Sequence, residues 1–377
     1  MKAVVAIDSL KGSLSSIEAG NAIKEGIKRV CPDGEVIVRP LADGGEGTTA
    51  TLAAGLGGRI ESVKVTGPLG TPVAAEYGII DETRTAIMEM ASAAGITLVD
   101  ASKRNPLNTT TFGLGEMIAD AIKKGCRNFI IGIGGSATND GGLGMLSALG
   151  FEFFDNDGCD VGIYGKNLES ISSIKTDSVL PELKECSFSI ACDVKNPLCG
   201  EMGCSAVYGP QKGATSEIVE QMDTWLKSYA EIAKGIFDNA DAEYPGAGAA
   251  GGLGFAFMTF LNGRLEPGVE LILEKTKIEE FIKDADVVVT GEGRLDFQTA
   301  MGKAPIGVAK LAKKHGKKVI AFAGAVTPDA TECNKNGIDA FFPILREICT
   351  LEKAMEKDYA AENLAATTEQ VFRLLNL

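Results

Sequence analysis

A chain of 377 residues with 51 acidic against 37 basic side chains, and a formal charge of -14, lacks the basic stripe that nucleic-acid binding requires. Its 45% hydrophobic and 23% charged content excludes intrinsic disorder, and its length favours two cores over one. No apolar run is long enough for a bilayer, and the nine cysteines contain no Cys-x-x-Cys pair, so a cytoplasmic protein with reduced thiols is expected.

Val4 to Ile7 read as a buried strand rather than a leader peptide. The loop Asp8-Ser9-Leu10-Lys11-Gly12-Ser13-Leu14 follows, and Ser15-Ser16-Ile17-Glu18 is a capping box opening a helix with Ile23, Ile27 and Val30 on one face. After the Pro32-Asp33-Gly34 turn, Val36 to Val38 complete a β-α-β unit, which calls for a parallel sheet. From Ser62 to Met90, alternating Val63, Val65, Val73, Ala75, Tyr77 and Ile79 predict an antiparallel hairpin, broken by Gly67-Pro68 and Gly70-Thr71 turns. A helix over Thr109 to Lys124 leads to a strand at Phe129 to Ile131, and another strand is expected at Phe188 to Ala191. Strands at Val287 to Val289, Val319 to Phe322 and Phe341 to Pro343, with a helix over Pro305 to Lys314 and a closing helix, restore the doubly wound pattern. The expected architecture is α/β with two domains. Residues 1–60 and 285–377 form a doubly wound, flavodoxin- or Rossmann-like parallel sheet, and residues 61–284 form an inserted α/β domain with a mixed sheet.

Much of the glycine excess, 46 residues, falls in five clusters: Asp43 to Gly47, Gly132 to Ser136, Asn139 to Gly142, Pro245 to Gly252, and Gly291 to Arg294. Glycine lets consecutive amides approach phosphate oxygens, and neighbouring Asp or Glu supplies hard oxygens for the Mg²⁺ that accompanies a nucleotide. Each cluster alone is compatible with an ordinary tight turn; five at strand ends point to a phosphate-handling crevice. The run Gly132-Ile133-Gly134-Gly135-Ser136-Ala137 also satisfies the dinucleotide fingerprint, with Glu152 and Asp155 about twenty residues further on. Against that, Asn139-Asp140-Gly141-Gly142 follows at once and is poor helix interior. A P-loop and a protein-kinase catalytic loop are both lacking. His315, the one histidine, sits at a basic helix end, which leaves carboxylates and lysines as the acids and bases. Lys11 is a candidate anion ligand or a surface lysine, and Asp193 a candidate catalytic carboxylate or a turn residue; Arg294 and Asp296 likewise follow a strand. An NAD(P)-dependent oxidoreductase of a small hydroxy acid and a non-catalytic sugar-acid sensor stand as alternatives to a kinase.

Longer motifs narrow the choice. They are Asp8 to Ser13, Pro40 to Thr48, Gly132 to Gly142, Ala191 to Val194, Tyr208 to Ala214, Pro245 to Gly254 and Thr290 to Asp296. In these the chain resembles the bacterial glycerate kinase family from end to end. The resemblance implies phosphorylation of D-glycerate by ATP with Mg²⁺, at an active site between the two domains of a monomer or homodimer. The substrates are small molecules, with neither nucleic acid nor membrane as partner, and the 2-phosphate is the favoured product. On this basis Asp193 is expected to act as base, and Lys11 and Arg294 to bind the glycerate carboxylate or the transferring phosphate. Asp8, Ser9, Asp43, Gly44, Gly45, Glu46 and Asp296 are expected substrate contacts, with Asp43 and Asp296 as metal candidates. Gly134, Gly135, Ser136, Asn139, Asp140, Gly291 and Glu292 are expected at the nucleotide.

Overall fold

A computed structural model describes residues 1–42 and 47–376. In chain order the strands are β1 (Lys2–Val5), β2 (Glu35–Val38), β3 (Arg59–Thr66), β4 (Pro72–Ile80), β5 (Thr85–Glu89), β6 (Asn128–Gly132) and β7 (Glu152–Phe154). They continue with β8 (Ser173–Lys175), β9 (Ser187–Ala191), β10 (Arg264–Glu266), β11 (Val287–Leu295), β12 (Lys318–Val326) and β13 (Ala340–Pro343). Two compact units result, one from residues 1–43, 54–56 and 269–377, the other from 44–53 and 57–268.

The first unit holds a five-stranded sheet in the order β13-β12-β11-β1-β2, in which all four neighbouring pairs are parallel. β1 lies between β11 and β2, with Val4 opposite Val288 and Ile37. Side-chain alternation then divides the core. Val4 and Ala6 pack with Val288 and Ala321 on one face, and Ala3, Val5 and Ile7 with Val289 and Phe322 on the other. Burial on both faces is why these strands read as continuous apolar runs. The capping box expected at Ser15 forms: the Glu18 amide donates to Ser15 Oγ at 3.2 Å and the Ser15 amide to Glu18 Oε2 at 2.8 Å. It opens helix Ser16–Val30, which packs on the closing helix Lys357–Leu375 so tightly that a Cβ on Gly26 would overlap the Ala365 carbonyl oxygen.

The second unit holds a mixed six-stranded sheet, β10-β9-β6-β5-β4-β3, and the small antiparallel pair β7-β8. The hairpin expected from alternation is β3 and β4, antiparallel with Val65 opposite Val73, while β5, β6, β9 and β10 run parallel. Tyr77, Phe129 and Phe188 anchor its core, and the last two rings stack with centroids 4.8 Å apart. Among the described residues, no helix is long and apolar enough to cross a membrane.

Candidate active site

Numbered within its own sheet, the first unit has strand order 2-1-3-4-5, so the order reverses between β1 and β11. Open α/β sheets take their ligands beyond the carboxyl ends of the strands at such a reversal. A pocket of about 520 Å³ lies there, lined by the loop leaving β1, by the end of β11 and by Asp296 just after it. The ladder extends past β1, with the Ala6 amide on the Val289 carbonyl at 2.8 Å and the Asp8 amide on the Gly291 carbonyl at 2.9 Å. Asp8 is buried and its Oδ1 accepts from the Ser9 amide at 2.7 Å. The chain then closes a tight turn, the Leu10 amide donating to the Leu14 carbonyl at 2.8 Å, which Gly12 permits at φ 80°. From beneath, Ser16 Oγ donates to the Ile7 carbonyl at 2.7 Å and accepts from the Leu41 amide at 3.0 Å. Lys11 is thereby held exposed at the tip of a fastened turn, on the pocket wall.

Across from it, Gly291 sits against the Phe322 backbone, where any side chain would collide. Glu292 is 9% exposed, and burial pushes its carboxyl above the ordinary range against the opposing pull of Thr299, Lys303 and Lys11. Thr299 Oγ1 donates to Glu292 Oε1 at 2.5 Å and accepts from the Asp296 amide at 3.2 Å, while Lys303 Nζ stands 3.9 Å from Glu292 Oε2. Asp296 Oδ1 caps the short helix Phe297–Ala300 through the Gln298 and Thr299 amides at 2.9 and 3.2 Å. Its Oδ2 lies 3.7 Å from Nε of the exposed Arg294. Three cations, Lys11, Arg294 and Lys303, and two carboxylates, Glu292 and Asp296, thus line the same pocket. Thr299 and Lys303 were not singled out from the sequence; the Asp296-x-x-Thr299 capping pattern was the available signal for the first.

In the second unit, β6 ends at Gly132 and the chain runs irregularly to Gly142, at φ 78°, before the helix Leu143–Ala148 begins. A dinucleotide fingerprint would open directly into its helix. Gly134 and Gly135 are exposed, whereas Ser136, Asn139 and Asp140 are buried. The Asp140 carboxylate accepts from the Thr111 amide and hydroxyl, both at 2.7 Å, and from the Gly142 and Gly144 amides at 3.2 and 3.3 Å. Burial pushes its pKa up even so. Asn139 Nδ2 donates to Ser205 Oγ at 2.9 Å. Asp140 therefore serves the loop's own backbone and Asn139 ties the loop to Ser205, while the exposed glycine amides are its outward surface.

Lys212 lies beneath this loop, 2% exposed, donating to Ser136 Oγ at 2.9 Å and to the Thr138 carbonyl at 2.6 Å. It belongs to the Tyr208 to Ala214 motif but received no role from sequence. Burial pulls its pKa down from 10.5 to about 8. A depressed folded-state value means that the associated stability is complete above pH 10.5 and lost as pH falls through about 8. Relative to Lys212→Met, the native chain should gain roughly 2–4 kcal/mol between those limits, read from urea midpoints at each pH.

Asp193 follows β9 and is exposed, its Oδ1 accepting from the Gly268 amide at 2.9 Å. Glu89 at the end of β5, not singled out from sequence, accepts from the Thr49 amide at 2.8 Å and the Gly47 amide at 3.3 Å, holding the start of helix Thr48–Gly55. Asp43, Gly44, Gly45 and Glu46 lie outside the described residues. His315 pairs with Glu279, Nε2 to Oε1 at 2.8 Å, near the end of helix Ala304–Lys314. Among the described residues, no three His, Cys, Asp or Glu side chains are grouped to hold a metal by themselves.

The same arrangement of elements occurs in known proteins. A solved structure described as a glycerate kinase 2 from Salmonella typhimurium LT2 superposes with a TM-score of 0.92 at 45% identity, covering 100% of this chain and 98% of that one. The chain is 45% identical to a glycerate kinase of Haemophilus influenzae over 100% of its own length and 99% of the relative's. It is 46% identical to a glycerate 2-kinase of Escherichia coli K12 over 97% and 98%. The model of the glycerate kinase family matches residues 3–376, and the chain belongs to that family.

Proposed function

We propose that the protein transfers the γ-phosphoryl group of ATP to D-glycerate, forming 2-phosphoglycerate. The observation that carries this is the pocket at the reversal of the parallel sheet, where Lys11, Arg294 and Lys303 meet Glu292 and Asp296. Such a set suits a polyphosphate with its cation, since Mg²⁺ takes one or two carboxylates and completes its shell with phosphate and water. Glu292 has Oε1 bound by Thr299 and Asp296 has Oδ1 bound by two amides, so Oε2 and Oδ2 are the oxygens that would hold it. When bound, Mg²⁺ would offset charge on the phosphate oxygens.

Arg294 suits a bidentate grip on a carboxylate or phosphate, and Lys11 and Lys303 act as point charges. Asp193 is proposed to accept the proton as the glycerate hydroxyl oxygen attacks the γ-phosphorus and the bond to the β,γ-bridging oxygen breaks. The exposed amides of Gly134 and Gly135, above buried Lys212, offer a further place for phosphate oxygens. Nine unpaired cysteines support a reducing, cytoplasmic setting.

The test is ADP release from ATP that depends on D-glycerate. Enolase alone should convert the product to phosphoenolpyruvate; a requirement for added phosphoglycerate mutase would establish attack by the 3-hydroxyl instead. Reduction of NAD(P) with no ADP formed would overturn the kinase assignment.

A further inference from the structure

The pocket of the first unit is lined by more than its charged groups. A three-carbon acid cannot fill about 520 Å³, a volume typical of sites for ligands several times its size. Beyond the hydroxyls of Ser9 and Ser13, the remainder is walled by Leu10, Ala325, Ile344, Leu351, Ala354 and Met355, whose side chains carry no hydrogen-bond donor and no acceptor beyond one thioether. Leu351 is 75% exposed and Met355 36% exposed within this wall, apolar surface that a flat ring would cover. Met355 packs against the turn that carries Lys11, because a Cβ on Gly12 would stand 2.5 Å from its Cε. The pocket thus presents cations and carboxylates beside a wall of aliphatic groups, the two-part character of a nucleoside polyphosphate.

We infer that the wall formed by Leu10, Ala325, Ile344, Leu351, Ala354 and Met355 is the nucleobase subsite, and that it selects ring shape rather than ring substituents. The assignment rests on the kinase reading above and adds the location and selectivity of the donor site. An aliphatic slot discriminates poorly between rings of similar outline, because rejection by large factors requires buried polar groups that go unpaired with the wrong ligand. ATP and GTP should both serve, and the smaller pyrimidine ring of UTP should serve less well.

Steady-state kinetics with D-glycerate test this on the whole protein. Values of kcat/KM for ATP and GTP are expected within about tenfold of one another. Leu351→Asp and Ala354→Trp should each raise KM for ATP about tenfold or more and leave KM for glycerate unchanged. Inorganic tripolyphosphate, which has no base, should compete with ATP at one inhibition constant in all three proteins. A variant that raised KM for glycerate and spared ATP would overturn the assignment, as would an equal loss of tripolyphosphate binding. A preference for ATP over GTP above about a hundredfold would overturn the ring-shape claim. Both substitutions are at non-buried positions, and unchanged melting temperatures would show that folding is intact. Absence of ADP from the native protein with any nucleotide would refute the kinase reading itself, a different outcome from any of these.

Discussion

Asp140→Ala is expected to destabilise the protein by about 3 kcal/mol, more than most single substitutions. Three backbone donors, the amides of Thr111, Gly142 and Gly144, would lose their acceptor in a site with no exposure. Each unsatisfied buried amide costs ~1–3 kcal/mol. Relief from burying the carboxylate offsets part of this, since burial already pushes its pKa up. Asp140→Asn should lose less, because the amide oxygen still accepts, although its NH₂ would face donors. Urea midpoints at neutral pH measure both. A loss below about 1 kcal/mol for the alanine variant would mean that the carboxylate is not needed by the loop.

Asp193→Asn should reduce kcat by about 10²–10⁴-fold, the range typical of a positioned general base. The substitution suits the purpose because an asparagine Oδ1 can still accept from the Gly268 amide, so the loop after β9 keeps its anchor. Melting temperature should be unchanged and KM for both substrates little altered, which separates lost chemistry from lost binding. Turnover within a few-fold of the native rate, in a normally folded variant, would assign the proton to another acceptor.

Much of the first unit was legible from sequence because parallel strands buried on both faces read as apolar runs, as Val4 to Ile7 and Val287 to Val289 do. The capping box at Ser15 and the alternation through Val65 and Val73 are likewise local signals, and both appear as expected. The order of strands was not legible, since it depends on Ala3 finding Val287 across everything between them. The helix Ser216–Lys234 carries a stripe at helical spacing, Met222, Leu226, Tyr229 and Ala233, that sequence alone makes readable. Around Pro245 to Gly254 the glycines suggested only a loop. The backbone does turn at Ala250, Gly251 and Gly252, at φ 52°, 70° and 95°, and then continues as a helix to Leu261.

At the site, residue type identified groups able to do chemistry but could not say which were taken. Asn139 and Asp140 flanked by glycines look the same whether they serve a ligand or the loop itself. The deciding partner, Thr111, lies far away in sequence, as does Ser136 for Lys212. Lys11 and Asp296 could be singled out because they follow strands, whereas Arg294, expected after a strand, lies within β11, which runs on to Leu295 past its apolar stretch. The environment of Glu292 depends on Thr299 and Lys303, which only the folded turn brings to it.

The central position of β1 has a consequence for biosynthesis. Its neighbour β11 begins at Val287, so a growing chain cannot complete the middle of the first sheet until that strand has left the ribosome. At 5–20 residues per second, β1 waits roughly 15–60 s after its own synthesis. Throughout that interval one edge of an apolar strand lacks its pairing partner, a hazard that helix Ser16–Val30 and β2 can cover only in part. The second unit, whose strands end at Glu266, is complete before Val287 is made. Cotranslational assembly therefore finishes the middle of this chain first and joins its two ends last.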